Sequence, residues 1–223
     1  MPITDEAIEK IKGMIVSGEL RPGDRLPKEA DLAAQLGLSR NSLREAVRAL
    51  SLVRILDVRQ GDGTYVTSLE PKALLDGLSF IVDLHHDATV LEFFEVRRIL
   101  EPAATALAAQ QISLETVDSL RDHLGRVTGE SSVEDLVEND LEFHRRIAEA
   151  AGNSVLYSLV DTLCGPTIRA RVWRGLTQEG ALRRTLDEHH AILDALAARQ
   201  ADVARALATV HIAGVEQWLR KAL

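Results

Sequence analysis

The stretch Leu36-Gly37-Leu38-Ser39-Arg40-Asn41-Ser42-Leu43-Arg44-Glu45-Ala46-Val47-Arg48-Ala49-Leu50 carries two helical spacings at once. Leu43, Ala46, Val47 and Leu50 stand at i, i+3, i+4 and i+7, the stripe of a helix with one buried face. Arg40, Arg44 and Arg48 recur every four residues and form a separate, exposed basic ridge. Gly37 breaks the chain ahead of this helix, and Ser39 is placed to cap it. Outward from here, residues 28–36 read as a preceding helix with Leu32, Ala33 and Leu36 inward. Residues 4–17 read as a first helix with Ile8, Ile11 and Ile15 on one face and acidic Asp5 and Glu6 at its positive end. Downstream the period changes. Ile55–Arg59 and Thr64–Thr67 are strand-like runs around Gln60-Gly61-Asp62-Gly63, the signature of a hairpin. Three helices followed by a hairpin are the plan of a winged helix-turn-helix.

Such a unit reads DNA with the N-terminal half of its third helix. Arg40 lies at the helix start, where side chain and helix end both meet phosphate. Arg44, one turn on, is placed for a guanine edge, and Arg48 continues the ridge. Asn41 suits a base or a phosphate. Gly61 and Gly63 at the hairpin tip let backbone approach the sugar-phosphate chain closely. They do not form a nucleotide-binding loop, because they lie between two strands and not between a strand and a helix. The alternative is an arginine-decorated, solvated helix face; the capping serine, turn and hairpin in one order favour DNA.

The whole chain has 223 residues and a net charge of −8, which at first argues against nucleic acid. The distribution removes the objection. Residues 1–68 hold 10 basic and 10 acidic side chains, so all the net acidity lies beyond them, and residues 40–59 have five arginines against Glu45 and Asp57. Local charge decides a phosphate-facing patch. Aromatic residues are only 4%, which suits packed helices better than a β-sandwich or barrel. No run approaches the length of a membrane span, and residues 1–7 lack the basic and apolar runs of a secretory signal. The single cysteine, Cys164, excludes an internal disulfide framework and a multi-cysteine zinc site. The expectation is a soluble, cytoplasmic protein.

Ser68 and Pro71 mark an expected linker at 68–72, between a DNA-reading domain at 1–67 and a second domain at 73–223. The second domain shows no strand pattern. Its expected helices run over 71–83, 90–111, 113–128, 132–151, 154–173, 178–199 and 201–222, with breaks at Asp87, Ser113, Gly129, Gly152 and Gly180. Gly165-Pro166 is expected to bend the fifth. Short loops between long helices imply an antiparallel bundle. The fold class is therefore mostly α.

Three of the seven histidines fall on faces that otherwise read as core. Asp140 and His144 stand at i, i+4 in the stripe Leu136, Asp140, His144, Ile147, Ala151. His189 begins a stripe with Ile192, Leu193 and Leu196, and His211 sits between Leu207 and Val215/Trp218. Burying a lone carboxylate is costly, and buried imidazoles need satisfied nitrogens. One divalent cation resolves both needs. Three nitrogens and one oxygen suit zinc, nickel, iron or manganese, with either a closed tetrahedral site or an octahedral one with two open positions. Hydrogen-bonded core histidines and a simple helix ion pair are the bland alternative. His190 reads as surface, and His85, His86 and His123 have no comparable support. Arg97 is the expected clamp for a ligand carboxylate, against the alternative of an i, i+4 pair with Glu101. Asn153 reads as a helix cap, Cys164 as core, and Arg169, Arg171 and Arg174 near Trp173 as a solvated or dimer-facing surface.

The motif Leu20-Arg21-Pro22-Gly23-Asp24-Arg25-Leu26-Pro27, then Leu32-Ala33-x-x-Leu36-Gly37-Leu38-Ser39-Arg40-x-x-Leu43-Arg44-Glu45-Ala46-Val47-Arg48-x-Leu50, then Gly61-x-Gly63-Thr64-Tyr65-Val66, resembles the DNA-binding domain of GntR-type regulators. Phe94-Glu95-Val96-Arg97-Arg98-x-Leu100-Glu101-Pro102 resembles the all-helical effector domain of the FadR branch, the FCD type. The Asp140/His144, His189 and His211 pattern resembles its metal-binding subgroup, which implies one divalent transition metal per chain, zinc first among the candidates. The resemblance further implies a homodimer, a palindromic double-stranded operator, a small carboxylate effector and no enzymatic activity. There are departures. Ala30 stands where a DNA-contacting basic residue is common, with Lys28 as its nearest substitute. Arg54 replaces a glycine before the wing, and Asp62 replaces a basic residue at its tip. The rivals are a direct metal sensor, a metalloenzyme with a vestigial helix-turn-helix, and an acyl-CoA-responsive regulator. The inward polar cluster disfavours the last.

Overall fold

The computed structural model describes residues 3–70, 88–128 and 130–223. The expected helix at 71–83, the later part of the 68–72 linker, the breaks at Asp87 and Gly129, and His85 and His86 lie outside the described residues. The chain divides into two compact units, Met1–Leu74 and Leu75–Leu223.

In the first unit, α1 (Ile3–Val16), α2 (Glu29–Leu36) and α3 (Arg40–Leu52) precede β1 (Leu56–Arg59) and β2 (Gly63–Val66). The apolar stripes meet in one core that includes Ile11, Leu32, Leu43, Ala46, Leu50, Leu56 and Val66, with Val47 and Leu36 half-buried against it. Burial of each large aliphatic side chain contributes roughly 1.5–3 kcal/mol. Ser39 caps α3, its Oγ accepting from the Ser42 amide at 3.1 Å. The strands pair antiparallel from Leu56↔Val66 to Arg59↔Gly63, and Gly61 takes φ 78° in the turn between them.

In the second unit the order is α4 (Ala88–Gln111), α5 (Leu114–Leu124), α6 (Val133–Ala150), α7 (Ser154–Cys164), a 3-10 turn (Gly165–Thr167), α8 (Ile168–Thr177), α9 (Ala181–Ala197) and α10 (Ala201–Ala222). Ser113, Ser132 and Asn153 cap α5, α6 and α7 through backbone amides three residues on. Gly165-Pro166 does more than bend the expected 154–173 helix. It ends α7, and α8 then runs on to Thr177. The helix expected over 113–128 stops at Leu124, where Gly125 caps it. α10 packs along α4, which also touches α6, α7 and α9. A core including Ala104, Ala108, Phe143, Ile147, Ile192, Leu193 and Leu196 fills the space between them.

Arg54 adopts φ 58°. This left-handed conformation is unfavourable for any residue with a Cβ, which explains why a glycine suits the position. Arg54→Gly is expected to raise the stability of the first unit by about 1 kcal/mol, the relief of strain exceeding the added chain entropy. Chemical denaturation of the variant beside the parent checks this.

Candidate functional site

On the first unit, Arg40, Asn41, Arg44 and Arg48 are all exposed along α3, and Lys28 is exposed just ahead of α2. Arg44 Nε donates to Glu29 Oε2 at 2.7 Å, and Arg48 Nη1 to Glu45 Oε1 at 2.8 Å. Both pairs are exposed ion pairs of the kind that contributes at most about 1 kcal/mol, so phosphate or a guanine edge can compete for either arginine. At the wing, Asp62 Oδ2 accepts from Tyr65 Oη at 2.9 Å. Arg25 donates to the Asp62 carbonyl, and the Arg59 guanidinium lies 4.3 Å from the Tyr65 ring centroid. Asp62 is thus held among two arginines and a tyrosine. A Cβ at Gly63 would fall 2.5 Å from Arg25 Nε, so a larger residue there would displace the arginine side chain that reaches across the wing.

Five helices of the second unit converge on one buried polar cluster. α4 supplies Arg97 and Glu101, α6 Asp140 and His144, α8 Arg171 and Arg174, α9 Glu188 and His189, and α10 His211. Asp140, His144, His189 and His211 are all buried, and one ligand atom from each lies within 4.8 Å of the others. His189 Nε2 is 3.2 Å from Asp140 Oδ1, His144 Nε2 3.6 Å and His211 Nε2 3.8 Å. The Nε2 of His211 is 3.1 Å from that of His144 and 3.4 Å from that of His189. Ligands about 2.0–2.2 Å from one ion stand about 3–4 Å from each other, so the spacing fits.

The outer nitrogens sharpen the fit. His144 Nδ1 faces Glu101 Oε2 at 3.0 Å, and His211 Nδ1 faces Glu188 Oε2 at 2.7 Å. A carboxylate beside Nδ1 favours the tautomer with the proton on that nitrogen and the lone pair on Nε2. Two such lone pairs would then face each other across 3.1 Å. That arrangement needs a cation between them or an added proton. The residues fit a divalent transition ion, which would supply positive charge and coordination positions for a ligand oxygen.

Electrostatics follow from burial and neighbours. Burial alone would raise the Asp140 carboxyl, but Arg171 and the imidazoles of His144 and His189 outweigh it and hold the group well below the ordinary range. Burial also opposes ionisation of Glu101, yet Arg97 and His144 keep its carboxyl depressed. His144 is raised, because Glu101 and Asp140 overcome its burial. Burial pushes His189 down to about 3 despite Asp140, and lowers His211 against Glu188.

Arg97 is buried, but its Nε pairs with Glu101 and its Nη1 donates to Thr167 Oγ1 at 2.9 Å. The expected ligand clamp is thus also the i, i+4 partner of Glu101. Arg171 and Arg174 correct the expectation of a surface cluster. They are only 8% and 4% exposed, and Arg171 Nη1 pairs with Asp140 Oδ2. Arg169 remains exposed, and Trp173 stacks edge-on with Trp218 at 5.0 Å. His190 is exposed, Cys164 buried, and His123 buried with Nε2 2.9 Å from the Asn139 carbonyl. Glu188 and the outward role of Glu101 escaped the sequence reading. Glu101 announced itself only as a partner for Arg97, and Glu188 lies 23 residues from the imidazole it orients. Beside the cluster is a cavity of about 40 Å³, lined by Arg97, Asp140, Arg171, Arg174 and His211 on its polar side and by Phe94, Ile212 and Val215 on its apolar side.

Residues 3–66 match the family described as bacterial regulatory proteins, gntR family, and residues 92–214 match the FCD domain. The chain is 31% identical to the HTH-type transcriptional regulator LutR of Bacillus subtilis, over 92% of this chain and 96% of the relative. It is 27% identical to the galactonate operon transcriptional repressor of Escherichia coli, over 98% and 97%. The solved structure of Streptococcus agalactiae GntR superposes with a TM-score of 0.73 at 28% identity, covering 96% of this chain and 99% of that one. The fold and these matches define a bacterial transcriptional regulator and not an enzyme. The chain belongs to the GntR family, with an FCD domain following its winged helix-turn-helix. No helix among the described residues is long and apolar enough to cross a membrane.

The imidazole shifts fix a pH dependence for the metal-free protein. An unfolded histidine takes up its proton near 6.5, whereas folded His189 does so only near 3. Between those values the unfolded chain binds more protons, so stability falls as pH drops from about 6.5 toward 3. His211 acts in the same direction. His144, being raised, acts oppositely: its contribution is present below 6.5 and lost as pH rises through its folded value. The denaturation midpoint of chelator-treated protein is expected to fall through this window, and to fall less steeply in His189→Gln. An equal slope in the two proteins would contradict the assignment.

Proposed function

We propose that this chain is a ligand-responsive repressor that binds a palindromic operator as a homodimer in the cytoplasm. Its second unit holds one divalent transition metal through Asp140, His144, His189 and His211 and senses a small organic acid beside it. The observation that carries the metal assignment is that the Nε2 atoms of His144, His189 and His211 all lie 3.2–3.8 Å from Asp140 Oδ1, with a carboxylate beside the Nδ1 of His144 and of His211. Neutral imidazoles and one ionised carboxylate are the protonation states that metal binding requires. Zinc is the first candidate, and nickel, iron and manganese share the donor preference. The neighbouring arginines support an anionic effector. A relative named as repressor of a galactonate operon supports repression and an organic-acid signal.

DNA reading falls to Ser39, Arg40, Asn41, Arg44 and Arg48 of α3 and its cap, with Lys28, Gly61 and Gly63 at the periphery. Two-fold half-sites call for two copies. For the effector to alter operator binding, it must bind the DNA-competent and released arrangements unequally; equal affinity would shift nothing.

Elemental analysis tests the metal reading. The parent is expected to retain about one transition ion per chain, as four-ligand sites do, and Asp140→Ala/His211→Ala to lose it. Full metal content in the double variant would refute the ligand set. Adding metal alone, and then with organic acids, to a protein–operator complex separates acid sensing from direct metal sensing. Arg44→Ala is expected to weaken binding by about 1–3 kcal/mol on an operator selected from random duplexes and to relax the preference at one base pair. Fluorescence anisotropy reads both, and unchanged affinity would remove Arg44 from the reading surface.

A further inference from the structure

Residues of α5, α6 and α7 border a second, larger hollow in this unit, a groove of about 670 Å³. That is the size of a small-molecule site. Two of its lining residues, His123 and Asn139, are only 6% and 5% exposed. They hold each other through the backbone. His123 Nε2 donates to the Asn139 carbonyl at 2.9 Å, and Asn139 Nδ2 donates to the His123 carbonyl at 2.8 Å. A carbonyl can only accept, so both contacts use donors and fix the ring and the amide. The neutral ring then carries its lone pair on Nδ1, and the amide keeps Oδ1 as an acceptor. Both atoms are buried, and neither has a hydrogen-bond partner among the described residues. Two buried acceptors left without donors are costly. A donor brought by a ligand in the groove would remove that cost.

Charge selects the kind of donor. Asp135, Glu138, Glu142 and Asp161 line the groove against Arg126, Arg145 and Arg146, four acids against three arginines. Glu149, 3.7 Å from Arg145, adds a further negative charge at the edge. Arg145 and Arg146 both donate to Glu142, at 2.6–2.8 Å, so two of the three arginines are already committed. Arg126 is exposed beyond the end of α5. Glu138, exposed beside Asn139 on α6, pairs with no side chain among the described residues. An ammonium group brings three N–H donors and one positive charge, which answers the two acceptors and the acidic excess together. A metal ion suits the groove less well. Among the described residues the one cluster of three or more metal-ligating side chains is that of Asp140, His144, His189 and His211.

We propose that this groove is a second small-molecule site, distinct from the metal cluster, and that its ligand class is a compact organic amine. The ammonium donates to His123 Nδ1 and Asn139 Oδ1, and Glu138 supplies the counter-charge. The proposal does not depend on the metal reading.

The test uses the full-length protein as purified, with metal content followed throughout. Putrescine and ethanolamine are compared with 1,4-butanediol and ethylene glycol, which keep the size and lose the ammonium. Calorimetry reads affinity, and NMR of the imidazole nitrogens reads His123 directly. At least one amine is expected to bind about tenfold or more tightly than its diol, as a charge-assisted bond does, and to move the His123 Nδ1 resonance. His123→Phe removes the ring acceptor and is expected to weaken that amine about tenfold. Glu138→Gln, at an exposed position, carries the test if His123→Phe does not fold, with an expected loss of about threefold. His211→Ala, which removes a metal ligand, is expected to leave amine affinity within about twofold, so the two sites fail separately. Diols binding as tightly as amines would overturn the amine class. An unmoved His123 Nδ1 resonance, or full affinity in the His123 and Glu138 variants, would show that water satisfies the two acceptors and would overturn the site.

Discussion

The second unit is organised around one buried carboxylate. Asp140 Oδ1 lies 3.2–3.8 Å from three imidazole nitrogens, and its Oδ2 is paired with Arg171. A buried charge is tolerated only where partners replace its lost hydration, and removing one partner leaves the others exposed to that cost. The helices α4, α6, α8, α9 and α10 each bring a member of this network. Their relative placement is therefore constrained by electrostatics as well as by apolar packing. A cluster with Glu101 behind His144 and Glu188 behind His211 has two shells. The inner atoms face the ion site, and the outer carboxylates decide which ring nitrogen offers its lone pair.

The first unit follows the opposite design. Its core is apolar, and its polar groups are exposed and weakly paired. Arg44 and Arg48 are held by Glu29 and Glu45 in pairs that water already screens. Weak pairing keeps the arginines ordered and leaves them available, because replacing an exposed carboxylate by a phosphate costs little. At the wing, Asp62 is absorbed by Tyr65 and Arg25, which offsets a negative charge at a place where the resemblance implies a basic residue.

Most of the architecture could be read from local pattern. Leu43, Ala46 and Leu50 are buried and Arg40, Arg44 and Arg48 exposed, as their spacing requires. Ser39, Ser113 and Asn153 act at helix starts, because a side-chain oxygen can satisfy an amide only a few residues away. The inward placement of Asp140, His144, His189 and His211 was legible too, since each interrupts an apolar stripe. Arg171 differs: among Arg169, Trp173 and Arg174 it looks like part of a charged surface. Its burial depends on α6, 31 residues distant.

The sequence by itself determined where helices start and stop, which faces are apolar, and that three imidazoles and a carboxylate lie on inward faces. Helical periodicity and capping act over three or four residues, so a single chain encodes them without reference to anything else. Only the tertiary structure decided that Glu101 and Glu188 orient two of those imidazoles, that Arg97 is engaged by Glu101 and Thr167, and that Arg171 turns inward to Asp140. Those contacts join helices far apart in sequence, and their geometry exists only once five helices have packed.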